Sequence, residues 1–242
     1  MDFRTENISA IEQYFYRGCK KNSMLGVELE HFVIDKNTGI TASYEDVERL
    51  LRMIQPEYGK EVISQGRLIG VERGGAGLSL EPAAQLEISM GPVSSIGEIE
   101  EKYEYFRSLA DPLANRLGLT LCTVGYQPKS KVDQLHLIPK RRYEFMHTYF
   151  KTTGKHGKNM MKGSAATQIS IDYSSEQDFI MKFRVACIMG PLFSLLCDNA
   201  DVFEGKPYKN GGTSLTEGAD SSGFTQAVLA HFNISVPRLS AG

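Results

Sequence analysis

Glu28 and Glu30, in the string Gly26-Val27-Glu28-Leu29-Glu30, are residues whose type and spacing could do chemistry in this 242-residue chain. Alternate side chains of a strand share a face, so the two carboxylates point one way with Cα atoms ~6.5 to 7 Å apart. That separation suits two oxygen ligands for one hard cation, or one ligand for each of two. Two later strings repeat the pattern. Glu81-Pro82-Ala83-Ala84-Gln85-Leu86-Glu87-Ile88-Ser89 puts Gln85, Glu87 and Ser89 on one face, and Thr167-Gln168-Ile169-Ser170-Ile171-Asp172 does the same with Gln168, Ser170 and Asp172. Magnesium is usually held by one or two carboxylates plus substrate phosphates rather than by a full protein cage. A strand floor lined with carboxylates therefore points to metal-nucleotide chemistry more than to a structural metal.

The elements that must position these residues can be read from periodicity. Phe32 and Ile34 continue the Glu28–Glu30 face while Val27, Leu29 and Val33 fill the other, so this strand is expected to be covered on both sides. Pro82 and the small Ala83-Ala84 pair mark a strand entry, bulge or edge with room for a ligand. Three polar-faced strands also arise in antiparallel sheets with one wet face, so spacing alone leaves function open. Ile8, Ile11, Phe15 and Cys19 predict a first helix over 7–20, and Ser43 caps a second, with Val47, Leu50, Leu51 and Ile54 inward and Pro56 as its stop. Strands and turns follow over 57–80, with Gly74-Gly75-Ala76-Gly77 as a hairpin or lid; the cluster lacks the Lys-Ser/Thr of a phosphate loop. The longest helix spans 95–117, with Ile96, Ile99, Tyr103, Phe106, Leu109 and Leu113 inward, and a strand covers 119–124. Tyr143, Met146 and Tyr149 resume helical spacing, and 151–162 form a basic, glycine-containing loop suited to meeting phosphate. Ser175 caps a final helix carrying Phe179, Phe183, Cys187, Leu195 and Leu196, with a bend expected at Pro191.

Bulk composition narrows the classes. Apolar residues make up 41% and charged residues 23%, as in an ordinary globular protein. Twenty-seven basic against 29 acidic residues leave a formal charge of -2, which gives no electrostatic case for nucleic acid or for an acidic membrane surface. The expected partner is a small molecule. Without a signal-like amino terminus or an apolar run of membrane-spanning length, the expected location is cytoplasmic. Cys19, Cys122, Cys187 and Cys197 form no C-x-x-C pair and are expected as reduced thiols. His31 points to the apolar side of its strand as a core residue, and the other histidines form no cluster.

With these residues laid out, the chain resembles glutamate-cysteine ligase of the plant and proteobacterial type, in the carboxylate-amine ligase superfamily related to glutamine synthetase. The resemblance is carried by Gly26-Val27-Glu28-Leu29-Glu30-His31-Phe32, by Ser79-Leu80-Glu81-Pro82-Ala83-Ala84-Gln85-Leu86-Glu87-Ile88-Ser89, by residues 157–161, by Thr167-Gln168-Ile169-Ser170-Ile171-Asp172-Tyr173, and by Phe203-Glu204-Gly205-Lys206-Pro207. It implies an α+β fold in which a curved, mainly antiparallel sheet forms a cup with helices packed outside. It also implies a reaction: ATP phosphorylates the side-chain carboxylate of glutamate, and the amine of cysteine attacks the acyl phosphate to give γ-glutamylcysteine, the first step of glutathione biosynthesis. By motif position Glu28, Glu30 and Glu87 would hold Mg2+, with Glu81 a weaker candidate and Gln168 facing the ligand on the third strand. Lys162 and Lys158 are the nearest cations for the transferred phosphoryl group.

Two departures qualify the resemblance. Ala83-Ala84 stand where the family carries paired glycines, and the chain has no tryptophan where the family carries one beyond the Gly-Lys-Pro motif, residues 208–242 matching nothing of the family pattern. Residues 1–207 are therefore expected to be the amino-terminal part of the catalytic domain and 208–242 a loop-rich tail. Two alternatives follow: a catalytically incompetent fragment that binds at most Mg-ATP or a partner chain, its open sheet edge favouring association or aggregation, and a ligase using a different amine.

Overall fold

A computed structural model describes residues 3–73, 76–197 and 199–200, together with the short strands at 202–203, 206–207, 213–214 and 218–219. Gly74 and Gly75, the centre of the expected lid, and most of the 208–242 tail lie outside the described residues. The chain runs α1 (Phe3–Arg17), β1 (Leu25–Asp35), α2 (Tyr44–Tyr58), β2 (Lys60–Ser64), β3 (Arg67–Arg73), β4 (Ala76–Leu80), β5 (Leu86–Val93), α3 (Ile96–Arg116), β6 (Leu119–Cys122), α4 (Arg141–Phe150), β7 (Thr167–Ile171) and α5 (Glu176–Leu196). A 3-10 turn at Val132–Gln134 and a π-helical turn at Asn159–Gly163 flank α4. The fold is α+β, as expected.

The main sheet is open, antiparallel, and ordered β2-β3-β4-β5-β1-β6. Strand β1 is long enough to serve three partners. Its residues 25–31 pair with β5, while its other edge takes β7 along 25–29 and β6 along 32–35. Residues directly opposite in an antiparallel pair share a face. The register therefore lines up Val71, Leu78, Ile88 and Leu29 on one side, and Leu80, Leu86 and His31 in the next row of that side. Helix α2 packs on β3, and α3 on β5 and β6, over these apolar rows. Both helices lie away from the glutamates.

Helix α2 begins where the Ser43 hydroxyl accepts from the Asp46 N–H, and Val47, Leu50, Leu51 and Ile54 are all fully buried at the expected 3.6-residue period. Pro56 does not stop it. The helix continues to Tyr58, because a proline in the last turn removes one donor only, and Gly59, at φ 86, closes the end with its N–H on the Gln55 carbonyl. In α3 the fully buried positions are Phe106, Ala110 and Ala114, while Ile96, expected inward, is 77% exposed at the first helical position. α1 starts four residues earlier than expected and leaves Ile8, Ile11 and Phe15 exposed. α5 runs on through Pro191 to Leu196.

A buried carboxylate pins α2 to the sheet. Glu48 accepts from Arg67 Nη2 at 2.5 Å and Nε at 3.1 Å, from Arg52 Nη2 at 2.8 Å, and from the Leu68 N–H at 3.4 Å. Arg67 also lies over the Tyr44 ring, 4.7 Å from its centroid. The Arg67 hydrogen bonds hold the Glu48 carboxyl below the ordinary carboxylate range. A depressed folded-state pKa contributes stability that is present above the unfolded value and lost as pH falls through the folded one. Glu48→Ala is expected to cost about 2 kcal/mol in urea unfolding at pH 7, since it removes the shared acceptor of two arginines and of the Leu68 N–H, and less at pH 3. An equal cost at both pH values would show that the carboxylate charge is not what pins the helix.

Candidate active site

The face of the sheet opposite α2 and α3 carries two polar rows set by register. One runs Gly70, Ser79, Glu87, Glu30, and the other Glu72, Gly77, Ser89, Glu28, Gln168. Three of the residues expected at the site, Glu28, Glu30 and Glu87, thus sit in adjacent positions on the two central strands, with Gln168 paired to Glu28 from β7. Glu30 and Glu87 are directly opposed, an arrangement of like charges that destabilises a sheet unless something compensates.

Donors supply part of the compensation. Glu87, 8% exposed, accepts through Oε1 from the Ser79 hydroxyl at 3.0 Å and the Ser89 hydroxyl at 3.3 Å. Glu30 accepts through Oε2 from the Ala166 N–H at 3.0 Å and through Oε1 from the Gln168 amide nitrogen at 2.9 Å. Among the described residues no hydrogen bond engages the Gln168 amide oxygen. No hydrogen bond or ion pair engages the Glu28 carboxylate among the described residues, although the group faces the negative charge of Glu87. Burial raises the Glu30 carboxyl to about 7, helped by Glu81, Glu87 and Glu28 and opposed by the Ala166 N–H. Burial and Glu87 also raise Glu28 and Glu81.

Glu81 lies at the end of this face, in the turn between β4 and β5. Its N–H donates to the Gln85 carbonyl, and its carbonyl accepts from Ala84. Ala84 adopts φ 62, the left-handed conformation that glycine takes without steric cost, so an alanine here carries backbone strain. Gln85 braces the turn. It is fully buried, accepts from the Ala83 N–H at 2.7 Å and donates to the Ser164 carbonyl at 3.0 Å, tying β5 to the segment that leads into β7.

Among the described residues neither expected cation pairs with the carboxylates of this face. Lys162 is 3% exposed and donates to the Leu135 carbonyl at 2.8 Å, and burial lowers its pKa. Lys158 pairs with Asp133 at 3.4 Å. Both serve the 132–135 segment. At the carboxylates the structure instead brings up Lys140 and Arg142, from the start of α4, each of which feels the charges of Glu81 and Glu87. Their position depends on Tyr143, whose hydroxyl lies 3.0 and 3.1 Å from the two Glu81 oxygens. The sequence signal for them is the Lys140-Arg141-Arg142-Tyr143 run, three basic residues ahead of the Tyr143 that starts the apolar spacing of α4. His31 is the core residue expected, neutral with its pKa lowered to about 4 by burial and bonded to the Leu86 carbonyl and the Tyr103 hydroxyl.

As a donor set this face suits a hard divalent cation. Its oxygen ligands carry one charge, and a cation would lower the raised pKa values of Glu28, Glu30 and Glu81. Among the described residues no three His, Cys, Asp or Glu side chains converge on one point.

These features define a class: an α+β domain whose open antiparallel sheet gathers carboxylates on one face and buries helices under the other. Known proteins give that class a family. The sequence matches glutamate-cysteine ligase family 2 (GCS2) over residues 24–218. It is 31% identical over 205 residues to the chloroplastic glutamate-cysteine ligases of Arabidopsis thaliana and of Brassica juncea, and 29% identical over 205 residues to glutamate-cysteine ligase A of Oryza sativa subsp. japonica. Each alignment covers 84% of this chain but only 39%, 40% and 41% of the respective relative, so the chain spans about two fifths of their length. The chain belongs to glutamate-cysteine ligase family 2.

The Glu30 environment makes a pH prediction. A carboxyl raised to about 7 in the folded chain holds its proton longer than in the unfolded one, so its contribution is present below the unfolded value of 4.5 and is lost as pH rises through about 7. Metal-free wild type is expected to lose stability across that window in urea titrations, and Glu30→Gln to show a flatter profile. Parallel profiles for the two proteins would remove Glu30 as the source.

Proposed function

We propose that this chain carries the glutamate-activating part of a glutamate-cysteine ligase and takes part in the ATP- and Mg2+-dependent joining of L-glutamate to L-cysteine. The observation that carries this reading is the alignment of Glu28, Glu30 and Glu87 across two paired strands, in a chain of this family, with Lys140 and Arg142 at one end. Residues 1–207 are assigned to the amino-terminal part of the catalytic domain. We keep cytoplasmic location as part of the proposal.

In the proposed reaction a side-chain carboxylate oxygen of glutamate attacks the γ-phosphorus of ATP and ADP leaves. The cysteine amine then attacks the acyl carbon, inorganic phosphate departs, and γ-glutamylcysteine remains. Phosphoryl transfer needs positioning and charge stabilisation rather than a protein nucleophile. Glu28, Glu30 and Glu87, with Glu81 at the rim, would hold Mg2+, which when bound neutralises phosphate oxygens. Gln168 orients Glu30 through its amide nitrogen, and Lys140 and Arg142 supply the positive charge first expected of Lys158 and Lys162.

A second reading is favoured by the exposure of α5 and β7. Ile169 and Ile171 on β7, and Phe183, Ile188 and Leu196 on α5, are more than half exposed. A helix that is apolar around its whole circumference is ordinarily buried. In this reading the chain acts only with a partner polypeptide that covers those elements.

The test is formation of γ-glutamylcysteine from glutamate, cysteine and Mg-ATP by purified chain, followed by mass spectrometry. Glu87→Gln is expected to lower the rate by about 100-fold or more, the scale on which loss of one transition-state electrostatic contact acts. Absence of both turnover and Mg-ATP binding in the chain alone, with turnover restored by a partner polypeptide, would select the second reading. Product from other amines but not cysteine would replace the substrate assignment.

A further inference from the structure

The junction between α4 and the β4–β5 turn is built around one hydroxyl. Tyr143 is 1% exposed, and its Oη receives hydrogen bonds from Arg142 Nη2 at 2.7 Å and Lys140 Nζ at 3.3 Å. It donates to the Glu81 carboxylate, whose two oxygens lie at 3.1 and 3.0 Å. A phenol has one proton to give and two lone pairs to receive, so its hydrogen-bonding capacity is filled. Direct contact between Arg142 and Glu81 is long, at 3.9 Å. The cations thus reach the carboxylate mainly through the phenol oxygen. The ring holds them as well, with Arg142 Cζ 4.7 Å and Lys140 Nζ 4.9 Å from its centroid.

We propose that Tyr143 is a positioning residue of the active site: its buried hydroxyl locks Lys140, Arg142 and Glu81 into one arrangement, so that both cations and the carboxylate meet substrate in fixed places. The proposal rests on the ligase reading for its consequence but not for its geometry. Burial of the ring in the core, beneath α4, makes the junction stiff, and the Glu81–Gln85 turn fixes the carboxylate's backbone. Two side chains with long flexible stems thereby lose freedom before substrate arrives, which is how preorganised electrostatic sites limit reorganisation.

Tyr143→Phe isolates the hydroxyl, because it keeps the ring, its packing and both cation–ring contacts. Three measurements on the full chain test it. Thermal unfolding should show Tyr143→Phe folded. The guanidinium 15N–1H signals of Arg142, assigned by loss in Arg142→Lys, should be sharp in wild type and broadened or shifted in Tyr143→Phe. In the glutamate- and cysteine-dependent assay, kcat should fall about 10- to 100-fold while the KM values for glutamate and ATP change less than about threefold, and Tyr143→Phe combined with Lys140→Met should lose much less than the product of the two single effects.

An Arg142 signal unchanged in Tyr143→Phe overturns the proposal whatever the activity. So does an altered signal accompanied by unchanged kcat, or by a loss that appears only as lowered thermal stability. If wild type proves inactive while the Arg142 signal still depends on the hydroxyl, the positioning geometry stands and the ligase reading is what fails.

Discussion

Glu30 and Glu87 face each other across the two central strands of the sheet, and that pairing of like charges is the constraint around which the rest is arranged. Directly opposed carboxylates repel, and partial burial deepens the cost by denying them water. The fold opposes this with a helix-side core in which Leu80, Leu86, Leu50, Leu51 and Phe106 are fully buried. It also supplies local donors: the Ser79 and Ser89 hydroxyls for Glu87, and the Ala166 N–H with the Gln168 amide for Glu30. These donors are neutral. They hold the carboxylates in place without cancelling their charge, which leaves the face attractive to a cation.

Which residues share this face was legible in the sequence because strand geometry has a fixed period of two. Glu28, Glu30, Glu87 and Gln168 needed only correct strand assignment for their faces to follow, and the burial of His31 followed from the same alternation. What one sequence does not carry is the register between strands distant along the chain. That Glu30 meets Glu87 while Glu28 meets Ser89 and Gln168 depends on long-range pairing. The basic residues show the same limit more sharply. Lys158 and Lys162 stand close in sequence to β7, but a π-helical turn directs Lys162 to the Leu135 carbonyl. Lys140 and Arg142, further away along the chain, arrive because α4 docks Tyr143 against Glu81.

Helices reveal a parallel division. Periodicity identified α2 and α3 because their apolar stripes have sheet beneath them, and their central positions are buried accordingly. It also identified α1 and α5 as helices, yet their apolar side chains stand largely exposed. Helix formation is encoded locally by caps such as Ser175, which accepts from the Asp178 N–H, whereas burial is a property of whatever lies opposite. Pro56 makes a related point. Its effect depends on where in the helix it falls, and in the last turn it is compatible with two further residues before Gly59.

The charge distribution along the carboxylate face is uneven, and the unevenness gives the proposed reaction a direction. At the β7 end the neighbour of Glu28 is the neutral amide of Gln168, while at the β4–β5 turn Glu81 is joined to two cations through Tyr143. A polyanionic phosphate chain gains most where those cations lie, and a metal ion gains most where unneutralised carboxylates lie. Under the proposed ligase reading Glu28, Glu30 and Glu87 would hold Mg2+, and Lys140 and Arg142 would supply positive charge to anionic oxygens. Gln85 ties the ends of this gradient together by bracing the Glu81 turn to the segment that enters β7, so a displacement at either end is resisted by the same buried amide.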